Sequence, residues 1–225
     1  MERGNVQDVG LALLFDLDGV IVDSNPVHVL VWKEYLAKHG IDPGGALPSL
    51  MYGRRNDEIV RDLFGSHLCA AEVQRHGAEK EALYRKVMRG QLGRRLVPGI
   101  RDFLQRHRQV PKALVTNAEP ANAEFILNES GLREYFAVVV DGHKVERPKP
   151  APDIYLLAAR LLGKQPAECI VFEDSATGVR AARAAGARVV AVATTESSFP
   201  DAELVIRDFT DPALAGWMER QLTGP

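Results

Sequence analysis

The sequence is poor in cysteine: Cys69 and Cys169 are the only two in 225 residues, and they match no metal-ligand spacing. That excludes a disulfide scaffold and fits a reduced compartment. Charge of one sign is also lacking, and a net charge of -2 gives no reason to expect nucleic acid or an anionic membrane as partner. No apolar run approaches the roughly 20 residues that span a bilayer. The opening MERGNVQDVG has no basic segment leading into a long apolar one, so no signal peptide is expected. There is no G-x-G-x-x-G after the first strand pattern, no G-x-x-x-x-G-K-[ST], no internal repeat and no low-complexity tract. What remains, at 46% hydrophobic and 26% charged residues, is a soluble, cytoplasmic globular chain of one large domain or one domain with an insertion.

The most informative stretch is Leu11 to Asp23, LALLFDLDGVIVD. An apolar run bounded by Gly reads as a strand buried on both faces, as in parallel sheets. Alternation places Asp16 and Asp18 on the same side at the strand's carboxyl end, where open α/β sheets hold their ligands. Two carboxylates there are costly without a cation or a hydrogen-bond network. In isolation, D-x-D-G reads equally well as a solvated strand end.

The segment DSNPVHVLVWKEYLAKHG has a Ser24 or Asn25 cap, Pro26 in the first turn and a Gly40 stop, and predicts a helix. Its buried face is read as Val27, Leu30, Val31, Tyr35 and Leu36. IDPGGALPSLMYG reads as a loop, NDEIVRDLFG as an amphipathic helix, and residues 70–89 as a charged helix broken at most by Gly77. From Pro98 onward helical and strand patterns alternate: IRDFLQRH, KALVTNA, PANAEFILNESG, FAVVVDG, PDIYLLAARLLG, CIVFEDS, ATGVRAARAAG, RVVAVAT and the edge strand ELVIRDF, before a last helix. Such alternation predicts an α/β fold, a Rossmann-like parallel sheet with helices on both faces. Residues 1–23 and 94–225 then form the core, and 24–93 an inserted all-helical cap.

Three further polar groups fall at or near strand ends: Thr116-Asn117 after KALV, Glu173-Asp174-Ser175 after CIVF, and Lys149 between prolines in RPKPAPDIY. Sheet geometry makes Asp16, Asp18, Glu173 and Asp174 neighbours. Oxygen-only ligands of this kind suit Mg²⁺. With a lysine and a threonine hydroxyl for non-bridging oxygens, these are the parts for phosphoryl transfer. Singly, Thr116-Asn117 and Glu173-Asp174 also read as helix caps and Lys149 as a solvated lysine. Their joint occurrence at successive strand ends favours the catalytic reading.

In these four motifs the sequence resembles the haloacid dehalogenase superfamily of phosphatases and phosphomutases, in the subfamily with a helical cap after strand one. The resemblance covers nearly the whole chain. It implies that Asp16 in FDLDG is a nucleophile forming an aspartyl-phosphate and that Asp18 is the general acid and then base. Thr116 in VTN would hold phosphate oxygens, with Asn117 beside the substrate, and Lys149 would steady phosphate and nucleophile. Asp16, Asp18, Glu173 and Asp174 are the metal residues so implied. Asp18 argues against the phosphonatase branch, and the Mg²⁺ cluster against a dehalogenase.

The cap speaks to substrate. His28 and Trp32 lie one helical turn apart and can face the cleft together. The stretch DGVIVDSNPVHVLVW is similar to β-phosphoglucomutases, in which a histidine so placed works with the acid–base aspartate. Those mutases carry a Lys before the loop Gly and an Arg three residues after it. Here Tyr52 precedes Gly53, Asn56 occupies the later position, and Arg54 and Arg55 follow Gly53 directly, more like the caps of small sugar- and polyol-phosphate phosphatases. The implied activity is a Mg²⁺-dependent phosphatase acting, as a monomer, on a small phosphorylated metabolite. A phosphomutase is the alternative, and a non-catalytic binding protein a more remote one. Gly53, Arg54, Arg55, His28, Trp32 and Asn117 are the expected substrate contacts, and the hinges are expected near 23–25 and 91–95.

Overall fold

A computed structural model describes residues 10–52 and 54–223. Most of the N-terminal decapeptide, and Gly53, lie outside the described residues. The chain opens with β1 (Ala12–Phe15) and then runs through helices α1 (Asn25–Lys38), α2 (Leu47–Met51), α3 (Asn56–Phe64), α4 (Ala70–Arg89) and α5 (Leu92–Arg95). Next come α6 (Ile100–Arg106), β2 (Lys112–Thr116), α7 (Pro120–Glu129), β3 (Val138–Asp141), α8 (Asp153–Leu161) and β4 (Cys169–Glu173). The chain finishes with α9 (Ala176–Ala185), β5 (Arg188–Val192), β6 (Leu204–Ile206) and α10 (Pro212–Thr223). The strands form one sheet in the order β3-β2-β1-β4-β5-β6, with every pairing parallel. This is the predicted α/β, Rossmann-like sheet. The order reverses beside β1, so the crevice of the switch point opens over its carboxyl end.

β1 has no solvent-facing side, since Ala12 to Phe15 are fully buried. Alternation sends Leu13 and Phe15 to one face, packed with Phe103 and Leu104 of α6 and Trp217 of α10. Ala12 and Leu14 go to the other face, against Ile154 and Ala158 of α8 and Ala182 of α9. Phe15 stacks on Phe172 of β4 with ring centroids 4.8 Å apart. Each buried aromatic of this size contributes on the order of 2–3 kcal/mol of apolar transfer.

Helices α1 to α4 bury their own apolar cluster around Trp32, Leu36, Ile59 and Val60. The other sides of α1 and α4, through Val27, Val31, Tyr84 and Met88, join the sheet-side core. Two sequence expectations change here. Leu30 is 57% exposed rather than buried, because the face of α1 turned inward passes through His28 and Trp32, which pack over α4. The stretch read as a loop contains α2, since Leu47 and Met51 close a single turn onto the Trp32 cluster. Gly77 does not break α4, which runs unbroken for 20 residues. The two linkers are tied together: Asp23 N–H donates to Arg95 O at 2.7 Å, and the Arg95 guanidinium reaches Asp23 Oδ2 at 3.0 Å. Among the described residues, no helix is long and apolar enough to cross a membrane.

Candidate active site

The cleft over β1 is walled by strand ends below and helices above. Asp16, Asp18, Thr116, Asn117, Lys149 and Asp174 form its floor, and His28, Trp32, Met51, Arg54, Asn56 and Lys80 belong to its helical side. The expected strand-end residues therefore meet, as β1, β2 and β4 end side by side.

Lys149 is the hub of the floor. Its Nζ donates to Asp16 Oδ1 at 2.8 Å, Glu173 Oε1 at 2.6 Å and Val115 O at 3.0 Å. Burial alone would lower its pKa, but the Asp16 and Glu173 carboxylates hold the ammonium well above its usual value. Glu173 is fully engaged: its Oε1 also accepts from the Tyr155 hydroxyl, and its Oε2 accepts from the amides of Asp174 and Ser175 and from Ser175 Oγ. Gly178 sits against this carboxylate, where a Cβ would fall 1.7 Å from Glu173 Oε1. Thr116 is buried, and its Oγ1 accepts from the Ala118 amide at 3.0 Å.

Asp16, Glu173 and Asp174 bring carboxylate oxygens within 4.8 Å of one another. Burial, the leading cause, and repulsion from Glu173 and Asp18 push Asp16 up to about 7, against the pull of Lys149. Burial, then the charges of Glu173 and Asp16, push Asp174 well above the carboxylate range. The floor thus carries more negative charge than one lysine neutralises, and a divalent, oxygen-preferring cation fits it. Asp174 Oδ2 accepts from Asn25 Nδ2 at 3.1 Å and from the Thr195 hydroxyl. Gly19 permits this arrangement. Its φ of 76° is left-handed, and a Cβ there would lie 1.9 Å from Asp174 Oδ2.

Asp18 stands outside that three-carboxylate group and belongs to a different network. Its Oδ1 accepts from Ser24 Oγ at 2.5 Å and lies 3.6 Å from His28 Nε2. Ser24 is the N-cap residue of α1, but its hydroxyl makes no capping bond there. Burial raises Asp18, yet His28, Ser24 and the Lys80 charge outweigh it and hold the carboxyl below its usual value. Behind His28, the Lys80 ammonium lies 2.8 Å from Nδ1. An ammonium has no lone pair, so Nδ1 accepts and the imidazole proton sits on Nε2, facing Asp18. Lys80 also donates to Glu81 Oε1 at 2.7 Å, and Asn122 of α7 donates to Glu81 Oε2 at 2.6 Å. Arg85 completes the chain by donating to Asn122 Oδ1 at 2.7 Å. The His28 ring stacks on Tyr84 with centroids 3.9 Å apart.

Lys80, Glu81, Asn122, Asn25 and Thr195 escaped the sequence reading. The signal for the first two is present in α4. Lys80 and Glu81 fall on the same stripe as its buried Val73, Gly77, Tyr84 and Met88, so the charges interrupt an apolar face rather than cover a solvated one. Asn122 and Thr195 carry no comparable mark.

The arginines after position 53 behave differently from each other. Arg54 lines the cleft, but its guanidinium is bonded to Asp62 Oδ2 at 2.8 Å, Leu50 O at 3.1 Å and Glu58 Oε2 at 3.4 Å. Arg55 lies outside the cleft wall, its Nε 3.0 Å from Asp57 Oδ1. Asn56, next along, does line the cleft. Trp32 is fully buried and presents its ring to Lys80 Nζ at 4.9 Å.

Residues 11–186 match the profile of the family described as haloacid dehalogenase-like hydrolase. The chain is 36% identical over 182 residues to a fructose-1-phosphate phosphatase of Escherichia coli (strain K12), covering 80% of this chain and 95% of that protein. It is 30% identical over 212 residues to the β-phosphoglucomutase of Bacillus subtilis (strain 168), covering 90% and 92% respectively. A crystal structure of β-phosphoglucomutase from Clostridium difficile superposes with a TM-score of 0.81 at 27% identity, covering 93% of this chain and 96% of that one. The family match spans most of the chain, and the chain belongs to the haloacid dehalogenase-like hydrolases.

Proposed function

We propose that the protein is a Mg²⁺-dependent phosphatase of small sugar or polyol phosphates, working through an aspartyl-phosphate on Asp16. One observation carries the choice of hydrolysis. Among the described residues, the cations around the cleft already face carboxylates: Lys149 faces Asp16 and Glu173, Lys80 faces Glu81, and Arg54 faces Glu58 and Asp62. A second phosphate at the far end of a substrate would find no ready counter-charge. Hydroxyls would find the Asn56 amide, whose Nδ2 and Oδ1 are both buried without a hydrogen-bond partner.

An Asp16 oxygen attacks phosphorus, and the leaving alkoxide takes a proton from Asp18. Water then attacks the phosphoryl group while Asp18 accepts its proton, and Asp16 is released as carboxylate. Asp18 is held ionised in the free site, as the second step requires. A phosphate dianion entering beside it raises the carboxyl toward the protonated form needed for the first. His28, its Nε2–H aimed at Asp18 by Lys80, steadies the carboxylate between steps. Lys149 and Thr116 hold phosphoryl oxygens. Asp16 and Asp174 would hold the metal, which when bound supplies positive charge to the phosphoryl group. Glu173, with both oxygens engaged, orients Lys149. The helical block 24–93 acts as a cap closing over the substrate about its paired linkers.

The Asp18–His28–Lys80 line also favours a second reading, a phosphomutase, and the likeness to β-phosphoglucomutases supports it. The test supplies β-glucose 1-phosphate with a trace of the 1,6-bisphosphate, and separately fructose 1-phosphate, each with Mg²⁺ and with chelator. Net phosphate release that requires Mg²⁺ is expected. Fast conversion to glucose 6-phosphate with little free phosphate would overturn the phosphatase reading in favour of the mutase.

A further inference from the structure

The helical block holds a second group of ligand-type side chains, none of which lines the catalytic cleft. His76 and Glu79 lie one turn apart on α4, and His39 is the residue on which α1 ends. One imidazole nitrogen or carboxylate oxygen from each lies within 4.8 Å of the others. We propose that His39, His76 and Glu79 form a site for a zinc-class divalent cation that ties the end of α1 to α4, with water completing a tetrahedral shell.

Donor chemistry sets this group apart from the floor of the cleft. Two imidazoles and a single carboxylate select borderline metals such as Zn²⁺ over Mg²⁺, and three protein ligands with water are an established zinc arrangement. Bonds of about 2.1 Å place tetrahedral ligand atoms about 3.4 Å apart. His39 and Glu79 are exposed and His76 is buried, so closing that margin falls to the two exposed side chains. The second observation is the shell behind the ligands. The Tyr35 hydroxyl donates to Glu79 Oε2 at 2.7 Å and lies 2.9 Å from His76 Nδ1. Its one proton is committed to Glu79, so Nδ1–H of His76 must donate to the hydroxyl oxygen. That fixes the tautomer and leaves the Nε2 lone pair for a metal, the role outer groups commonly serve at zinc sites. The His76 ring is further held by Phe64, stacked at 4.1 Å, and the His39 ring sits against Tyr35 at 4.8 Å.

The experiment titrates the chelator-stripped full-length protein with Co²⁺ in excess Mg²⁺, which occupies the carboxylate floor. The intense visible bands of tetrahedral Co²⁺ should appear with one equivalent and vanish on adding one equivalent of Zn²⁺. They should persist in Asp174→Asn and be lost in both His39→Ala and Glu79→Gln, two exposed positions whose variants should keep the wild-type circular dichroism. Tyr35→Phe retains every ligand but frees the tautomer, and should weaken Zn²⁺ binding about tenfold or more. No tetrahedral band in the wild type, a band unchanged in His39→Ala or Glu79→Gln, or a band lost in Asp174→Asn would each overturn the proposal.

Discussion

The floor and the helical wall of the cleft are built on opposite principles. On the floor, Asp16, Thr116, Glu173 and Asp174 stand at the ends of buried strands, Lys149 reaches them from a proline-flanked loop, and their orientations are over-determined. Lys149 alone is fixed by a carbonyl and two carboxylates, and Glu173 by five donors. On the wall, Arg54 is held by the Glu58 and Asp62 carboxylates of the helix that follows it, at a partly exposed position. Breaking a buried charge pair costs on the order of 3–5 kcal/mol, while an exposed pair is worth about 1 kcal/mol or less. The floor therefore fixes the chemistry, and the wall is free to vary the substrate. Between the two lies the buried line from His28 through Lys80 and Glu81 to Asn122, a polar network that joins α1 and α4 to α7.

The sharpest way to break this contrast is at Asp16. Asp16→Asn should lower kcat on the order of 10⁴-fold or more, measured as phosphate release. Its melting temperature should equal or exceed that of the wild type, since the change removes one of the crowded charges. Substantial turnover in this variant would remove Asp16 from its role. A large loss of stability would mean that the floor's charges hold the fold together rather than strain it.

The intermediate line should give an intermediate effect. His28→Asn should reduce kcat about 10²-fold. It should also move the acidic limb of the kcat profile, which follows Asp18 as the base of the hydrolytic step, to higher pH, because Asp18 loses the group that keeps its carboxyl low. Lys80→Met combined with Glu81→Leu removes a buried pair together, leaves no orphaned charge, and should reproduce the same shift with a smaller loss. An unchanged profile in both would reduce this network to packing.

How much of this was visible in the chain follows the same division. A strand in a parallel sheet has a period of two and a fixed end, so Asp16, Thr116, Glu173 and Asp174 could be brought together from spacing alone. Lys149 came with them through the proline-flanked loop. A helix surface has several faces, and the sequence does not say which is turned inward. The pattern therefore puts Leu30 on the buried face of α1, whereas His28 and Trp32 occupy it. Residues 70–89 read only as a charged helix, with nothing to single out Lys80, which is only 2% exposed. Asn122 and Thr195 come from elements far apart in sequence, and only the packed structure supplies those contacts.

Stability against pH gives a smaller and differently signed test of the floor. The folded Asp16 carboxyl titrates at about 7 against an ordinary 3.8, and Asp174 is shifted the same way. A carboxyl raised by folding contributes its stability below the unfolded value and loses it as pH climbs through the folded one. Metal-free protein should therefore melt several degrees higher near pH 5 than near pH 8. Asp18, shifted downward, loses its own contribution only in more acidic solution and does not cancel this. Mg²⁺ should remove most of the difference by favouring the ionised carboxylates. A chelated protein equally stable at both pH values would mean that the floor's charges are already balanced.

The smallest effects should come from the wall, and they separate Arg54 from Arg55. Arg54 lines the cleft, and its guanidinium offers two planar hydrogen-bonding edges. Two carboxylates and a carbonyl already engage it, so a substrate hydroxyl must compete with them. Arg54→Ala should raise KM for fructose 1-phosphate several-fold at nearly constant kcat, the mark of binding lost equally from ground and transition states. Arg55 pairs with Asp57 and comes near Gly142, where a Cβ would lie 3.7 Å from its Cδ. Arg55→Ala should change KM less than Arg54→Ala does and cost about 1 kcal/mol or less in stability. By sequence both arginines have the same standing as substrate contacts, and steady-state kinetics on the two variants ranks them. If Arg55→Ala has the larger effect on KM, the closed, substrate-bound cap must turn that guanidinium away from Asp57 and into the cleft. If either variant lowers kcat as strongly as His28→Asn, the wall takes part in the chemical step, and the division between a fixed floor and a variable wall fails.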